Sequence, residues 1–276
     1  MKPNFLIIGA SRCGTTSLFH YLRAHPDVYV AKGKELHFFD LHYGSGWGSY
    51  LEAFRAASGK SAVGEATPAY MYDPESVFRI ATTLPDACLI AILRDPVERA
   101  YSHYWANRVR GRETLDFEAA IAAEPERLRI QDKQNRLNYS YLDQGRYLEQ
   151  LRRVTDHFAR DRLFVALFDD LMEDPHSLFV DVASFLAIDA SRIPAVVGDR
   201  VNGYQEFRSL RLRELGKKAP SALRNAIGRV NARPSTYPPM RPATRARLVE
   251  RFSHANDDLG SWLGRDLIAW NAVRRA

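Results

Sequence analysis

The run FLIIGASRCGTT, residues 5 to 16, constrains this chain more than any other stretch. Phe5 to Ile8 is short and wholly apolar and ends at Gly9, as expected of a strand buried on both faces of a parallel sheet. Beyond the turn, Thr15 to Ala24 carries Leu18, Phe19, Tyr21 and Leu22 at helical spacing and stops before His25-Pro26. A glycine-rich turn between strand and helix aims backbone N–H groups, and the positive end of the helix dipole, at an anion. Gly9 and Gly14, with four residues between them, have the spacing of a nucleotide-triphosphate loop. Thr15, however, stands where that loop carries lysine, so a γ-phosphate loses its main point charge. Gly9-Ala10-Ser11 also lacks the second glycine of a dinucleotide fingerprint. Residues 9 to 16 therefore predict a phosphate site unsuited to ordinary ATP hydrolysis, with Arg12 inside it and Thr15-Thr16 capping the helix.

The rest of the chain alternates in kind. Strands are expected at Val28 to Val30, Ser61 to Glu65, Ala87 to Leu93 and Arg162 to Phe168. Helices are expected around Trp47 to Ala57, at Pro74 to Thr83, from Pro96, at Tyr141 to Phe158, from Asp174-Pro175 through Leu186, and at Ala243 to Leu263. A charged helical stretch follows the Pro96 helix and turns Phe117 and Ile121 inward. Such alternation predicts an α/β fold with a central, mainly parallel sheet flanked by helices. Residues 1–276 show neither a repeat nor a separating linker and read as one domain. Arg200 to Pro242 is the exception, a basic, Pro-rich stretch of weak periodicity that reads as a functional or mobile loop.

A formal charge of +6 favours anionic ligands, yet no basic run resembles a nucleic-acid arm. Two cysteines, Cys13 and Cys88, make no disulfide framework, so reduced thiols are expected. No stretch approaches the ~20 apolar residues of a membrane span. The chain thus reads as cytoplasmic and unanchored, with no nucleic-acid partner and no metal site.

A second anchor stands at the end of the Ala87 to Leu93 strand. There Arg94 replaces the acidic Mg²⁺ partner of an NTPase, and Ser102 follows about two turns into the Pro96 helix. A phosphate along that helix would take a bidentate bond from Arg94 and a hydroxyl bond from Ser102. The set FLIIGASRCGTTSLFHYLRAHPDV, KELHFFD and LIAILRDPVERAYSHY resembles the sulfotransferases that use 3′-phosphoadenosine 5′-phosphosulfate (PAPS), in particular the heparan sulfate type and its bacterial relatives. The segments YLDQGRYLEQL and RLFVALFDDLMEDP are similar as well.

That resemblance implies the following roles. Arg12, Cys13, Gly14, Thr15 and Thr16 would hold the 5′-phosphosulfate, Arg94 and Ser102 the 3′-phosphate, and Tyr147 would approach the nucleotide. The basic stretch, with Asn202, Arg208, Ser209 and Arg211, would close over the nucleotide. Glu35 would be the base, with His37 as a second base, an orienter or an acceptor contact; an extended 35–39 would project both to one side. PAP would be the product, a small molecule or glycan the acceptor, and no metal would be required. Two departures stand out. Arg12 replaces a usual lysine and, unable to give up a proton, acts as a fixed clamp. Ala66 in GEATPAY replaces the lysine of glycosaminoglycan enzymes, which speaks against a heparan-like acceptor and leaves Glu65 either shaping the cleft or structural. Tyr43, Trp47, Tyr70 and Tyr72 are candidates to stack on a sugar. The rival readings are a nucleotide kinase or NTPase with an altered loop, and a non-catalytic binding protein on the same fold.

Overall fold

The computed structural model describes residues 1–130, 132–199, 205–207, 232–234 and 237–272. Five strands, β1 (Phe5–Gly9), β2 (Val28–Val30), β3 (Ala62–Ala66), β4 (Cys88–Leu93) and β5 (Leu163–Leu167), form one sheet in the order β2-β3-β1-β4-β5. Every pairing is parallel, with Phe5 opposite both Gly64 and Cys88. Helices cover both faces, so β1 is buried along its whole length, which is why its sequence is a continuous apolar run. Gly64 is required by this packing: a Cβ there would lie 2.4 Å from the Phe5 carbonyl oxygen.

Among the described residues the α-helices are α1 (Thr15–Ala24), α2 (Trp47–Glu52), α3 (Pro74–Thr83), α4 (Pro96–Val109), α5 (Phe117–Ala122), α6 (Glu124–Arg129), α7 (Lys133–Tyr139), α8 (Tyr147–Thr155), α9 (Phe168–Glu173), α10 (Pro175–Phe185) and α11 (Pro242–Leu263). Three start with the same device. Asp73-Pro74, Asp95-Pro96 and Asp174-Pro175 place a carboxylate that accepts from the first turn (Ser76, Val97 and Ser177 N–H) ahead of a proline preset for helix. A second core joins α4, α5 and α11 through Val97, Tyr104, Phe117, Leu248 and Phe252. A separate antiparallel pair joins Gln205–Phe207 to Ala232–Pro234.

Three expectations need correction. Tyr141 to Phe158 is not one helix: a single 3-10 turn at Asp143–Gly145 precedes α8. The interruption has a packing cause, because a Cβ on Gly145 would sit 2.9 Å from Pro96 Cβ and 3.0 Å from Phe252 Cζ. The helix expected over Trp47 to Ala57 ends at Glu52. The charged stretch after α4 breaks into α5, α6 and α7, because Asp116 and Asp132 each cap a fresh start.

Candidate active site

Strand order places the site. β1 and β4 are neighbours, but the chain leaves them toward opposite edges of the sheet, and at such a switch point an α/β sheet forms its ligand crevice outside the carboxyl ends of the strands. The loop after β1 and the segment after β4 both empty into it. In the loop, Gly14 (φ 90°) caps α1 and Arg12 has φ 72°, both left-handed. A Cβ on Gly14 would come within 2.5 Å of Leu171 Cδ2, so glycine is demanded by space as well as by φ.

A chain of hydrogen bonds ties the two segments together. Arg12 Nε donates to Ser102 Oγ at 3.2 Å, and Arg94 Nη1 reaches the Arg12 carbonyl at 3.5 Å. Tyr147 Oη donates to the Arg94 carbonyl at 2.8 Å. Arg94 is further held over the Phe168 ring at 4.7 Å and beside Glu98 at 3.7 Å. Of the predicted contacts, Arg12 is exposed, Gly14 and Thr16 are half-buried, and Thr15 and Ser102 are buried. Cys13 and Tyr147 lie wholly beneath the loop as supports, with Sγ and Oη 3.7 Å apart. Burial raises the pKa of the Cys13 thiol despite nearby guanidiniums.

Cations crowd this crevice. The surrounding protein, then Arg110, then Arg94 push the Arg12 guanidinium below its ordinary value. Arg110, the residue that caps the carboxyl end of α4, escaped the sequence reading. Arg110 also contributes to lowering the Glu35 pKa.

The Glu35 segment is not extended, which corrects the expected alternation. Glu35 (φ 63°) and His37 (φ 51°) are both left-handed. The cause lies in the backbone bonding: Ala31 N–H still follows the sheet to the Gly64 carbonyl, but Glu35 N–H turns back to the Ala66 carbonyl at 2.9 Å. Glu35 and His37 nevertheless meet, with Glu35 Oε2 3.8 Å from His37 Nε2. Lys34 Nζ lies 2.7 Å from Glu35 Oε1 and pairs with it at the surface. On its other side, His37 Nδ1 is 2.7 Å from Asp40 Oδ2; the carboxylate only accepts, so Nδ1 carries the hydrogen. Burial draws the His37 pKa down, but the hydrogen bond and charge of Asp40, and then Glu35, outweigh it and the net shift is upward. Burial alone would raise the Glu35 pKa; Lys34, His37 and Arg110 reverse this and lower it. Asp40, buried and unmentioned by the sequence reading, was signalled by its position three residues after His37.

The remaining candidates divide. Tyr70 and Tyr72 are buried in packing, with Tyr72 Oη donating to Asp143 at 2.6 Å, and neither presents a stacking face. Tyr43 is 38% exposed and has Arg79 4.4 Å above its ring; Trp47 is half-buried. Ala66 and Glu65 are fully buried, so Glu65 lies under the cleft instead of lining it. Asn202, Arg208, Ser209 and Arg211 lie outside the described residues. Among the described residues no cluster of three or more His, Cys, Asp or Glu has metal-binding geometry, and no helix is long and apolar enough to cross a membrane.

Comparison with known proteins agrees with this fold. The crystal structure of a sulfotransferase from Alicyclobacillus acidocaldarius superposes with a TM-score of 0.78 at 29% identity, covering 99% of this chain and all of that one. Human heparan sulfate glucosamine 3-O-sulfotransferase 3B1 is 30% identical over 268 residues, 96% of this chain and 64% of that protein. The membrane-associated sulfotransferase kil1 of Dictyostelium discoideum is 40% identical over 105 residues, 37% of this chain and 22% of that protein. The chain thus spans less than two thirds of the length of these two relatives. The family model described as "Sulfotransferase domain" matches residues 2–215, and the chain belongs to the sulfotransferase domain family.

Proposed function

We propose that this chain transfers a sulfuryl group from PAPS to a hydroxyl or amine of a small-molecule or glycan acceptor. The observation that carries the reading is the Arg12–Ser102 hydrogen bond, which joins a strand-loop-helix anion cradle to a second, arginine-bearing anchor on α4. A donor with phosphates at both ends of one nucleoside needs two such anchors; ATP needs one, together with the lysine this loop lacks. In this reading Gly14, Thr15, Thr16 and Arg12 hold the 5′-phosphosulfate, and Arg94 and Ser102 hold the 3′-phosphate.

Glu35 suits the base better than His37 does. It is held ionised at neutral pH, whereas Asp40 favours the proton on His37. In the displacement, Glu35 accepts the acceptor's proton as the new bond to sulfur forms. The bond from sulfur to the bridging oxygen breaks, its electron pair stays on the departing phosphate, and Arg12 neutralises the charge that develops there. His37, fixed by Asp40, orients the Glu35 carboxylate. The buried Ala66 removes a cation from the acceptor side, which favours an acceptor other than a heparan-like glycan. We place the reaction in the cytoplasm, consistent with two free thiols.

Calorimetric titration with PAP, AMP, ADP and ATP tests the donor. Preference for PAP without added Mg²⁺ is expected; preference for ATP would overturn the reading in favour of a kinase-like enzyme.

A further inference from the structure

Glu65 is a buried acid that the chemistry above does not use. It stands on β3 with no accessible surface, and its hydrogen-bond partners are hydroxyls. Oε2 accepts from Thr67 Oγ1 at 2.6 Å, and Oε1 accepts from Tyr70 Oη at 2.7 Å and Tyr50 Oη at 3.3 Å. An acid buried this deeply is costly to keep unless its partners hold it for a purpose.

The purpose is visible one bond further out. Each hydroxyl has one proton, and when Thr67 and Tyr70 give theirs to Glu65 their oxygens are left as acceptors. Thr67 Oγ1 then receives the His37 N–H at 3.4 Å. Tyr70 Oη receives the Phe38 N–H at 3.0 Å and the Phe39 N–H at 3.5 Å. Tyr50, the third donor, stacks on Phe38 with 4.5 Å between ring centroids. These are the backbone groups of the segment that carries left-handed Glu35 and His37, a conformation that non-glycine residues keep only when their surroundings impose it.

We propose that Glu65 is a positioning residue: through Thr67 and Tyr70 it fixes the backbone of residues 37–39 and thereby aims Glu35 and His37 at the cleft. Glu65 touches no reacting atom. Burial raises the Glu65 pKa while the three hydroxyl donors favour its ionised form; as a carboxylate it only accepts and so sets where both hydroxyl protons point, and an amide in its place offers a competing donor to oxygens already receiving backbone N–H groups. The consequence for turnover rests on the reading of Glu35 as the base, whereas the anchoring does not.

Amide hydrogen exchange of the full chain tests it, comparing Glu65→Gln, Tyr70→Phe, Thr67→Val and Thr67→Ser with the parent, beside PAP titration. In the first three variants, amides of residues 35–39 are expected to exchange about five- to tenfold faster, with β1 and β4 amides unchanged. Thr67→Ser, which keeps the hydroxyl, should match the parent, and PAP affinity should stay within about twofold throughout. Unchanged exchange at 35–39, or an equal rise across the whole sheet, would overturn the proposal. If Glu65→Gln does not fold, Tyr70→Phe and the Thr67 pair carry the same test. Should Glu35→Gln keep full turnover while exchange responds as expected, the base assignment fails and the anchoring stands; the opposite pattern sinks the anchoring alone.

Discussion

The two halves of the proposed site, one for the anion and one for the base, are built by different means. The anion half, residues 9–16 with Arg94 and Ser102, is made of strand ends and helix starts. Its turn is held between the regular β1 and α1, and its left-handed residues are Arg12 and Gly14, one of them a glycine. The base half, residues 35–40, lies on irregular backbone whose two left-handed residues are Glu35 and His37. Side-chain hydroxyls and the end of β3 hold it there. In the proposed reading, a short turn between a strand and a helix holds the fixed anion, whereas aiming a carboxylate at a varied acceptor takes a longer loop held by side chains from elsewhere in the fold.

The largest effect should come from the base half. Replacing Glu35 by Gln is expected to lower kcat by about 10²- to 10⁴-fold while calorimetric PAP affinity stays unchanged. Equal loss of both would erase the division between the halves. Next, Arg12→Ala should cost about 10²- to 10³-fold in kcat, and Arg12→Lys should retain much of the parent rate in steady-state assays. An Ala variant of near-normal rate would remove Arg12 from the clamp. Gly14→Ala strikes the anion half through its backbone. The φ of 90° and the 2.5 Å approach to Leu171 predict a loss of about 1–3 kcal/mol in chemical denaturation, together with weaker PAP binding.

The smallest effect is pH-dependent and belongs to the base half. The folded pKa of His37 is raised, so the stability from its pairing with Asp40 is complete below about pH 6.5 and is lost as pH rises through the folded value. Asp40→Asn should therefore destabilise the protein more at pH 5.5 than at pH 8 in urea unfolding. An equal loss at both pH values would mean that the pair does not titrate as described.

Much of this was legible beforehand because it follows from short-range rules. The apolar run Phe5 to Ile8, the glycine spacing and the three Asp-Pro pairs specify strands, a turn and helix starts with little help from distant residues. The break at Gly145 was not legible, since its cause is the close approach of Pro96 and Phe252, far away along the chain. Asp40 and Arg110 were passed over for a similar reason. Each is ordinary in sequence and gains its role only from what the fold sets beside it.

The sequence by itself determined the parallel α/β architecture, the glycine-rich loop and the residue types at both proposed phosphate anchors, because hydrophobic period, turn chemistry and capping act over a few residues. Tertiary structure alone decided that Arg12 would meet Ser102, ninety positions along the chain. It also decided that Glu35 and His37 would converge through left-handed backbone in place of strand alternation. Such pairings depend on sheet order and on hydrogen bonds donated from β3 and its flank, and no local pattern encodes either.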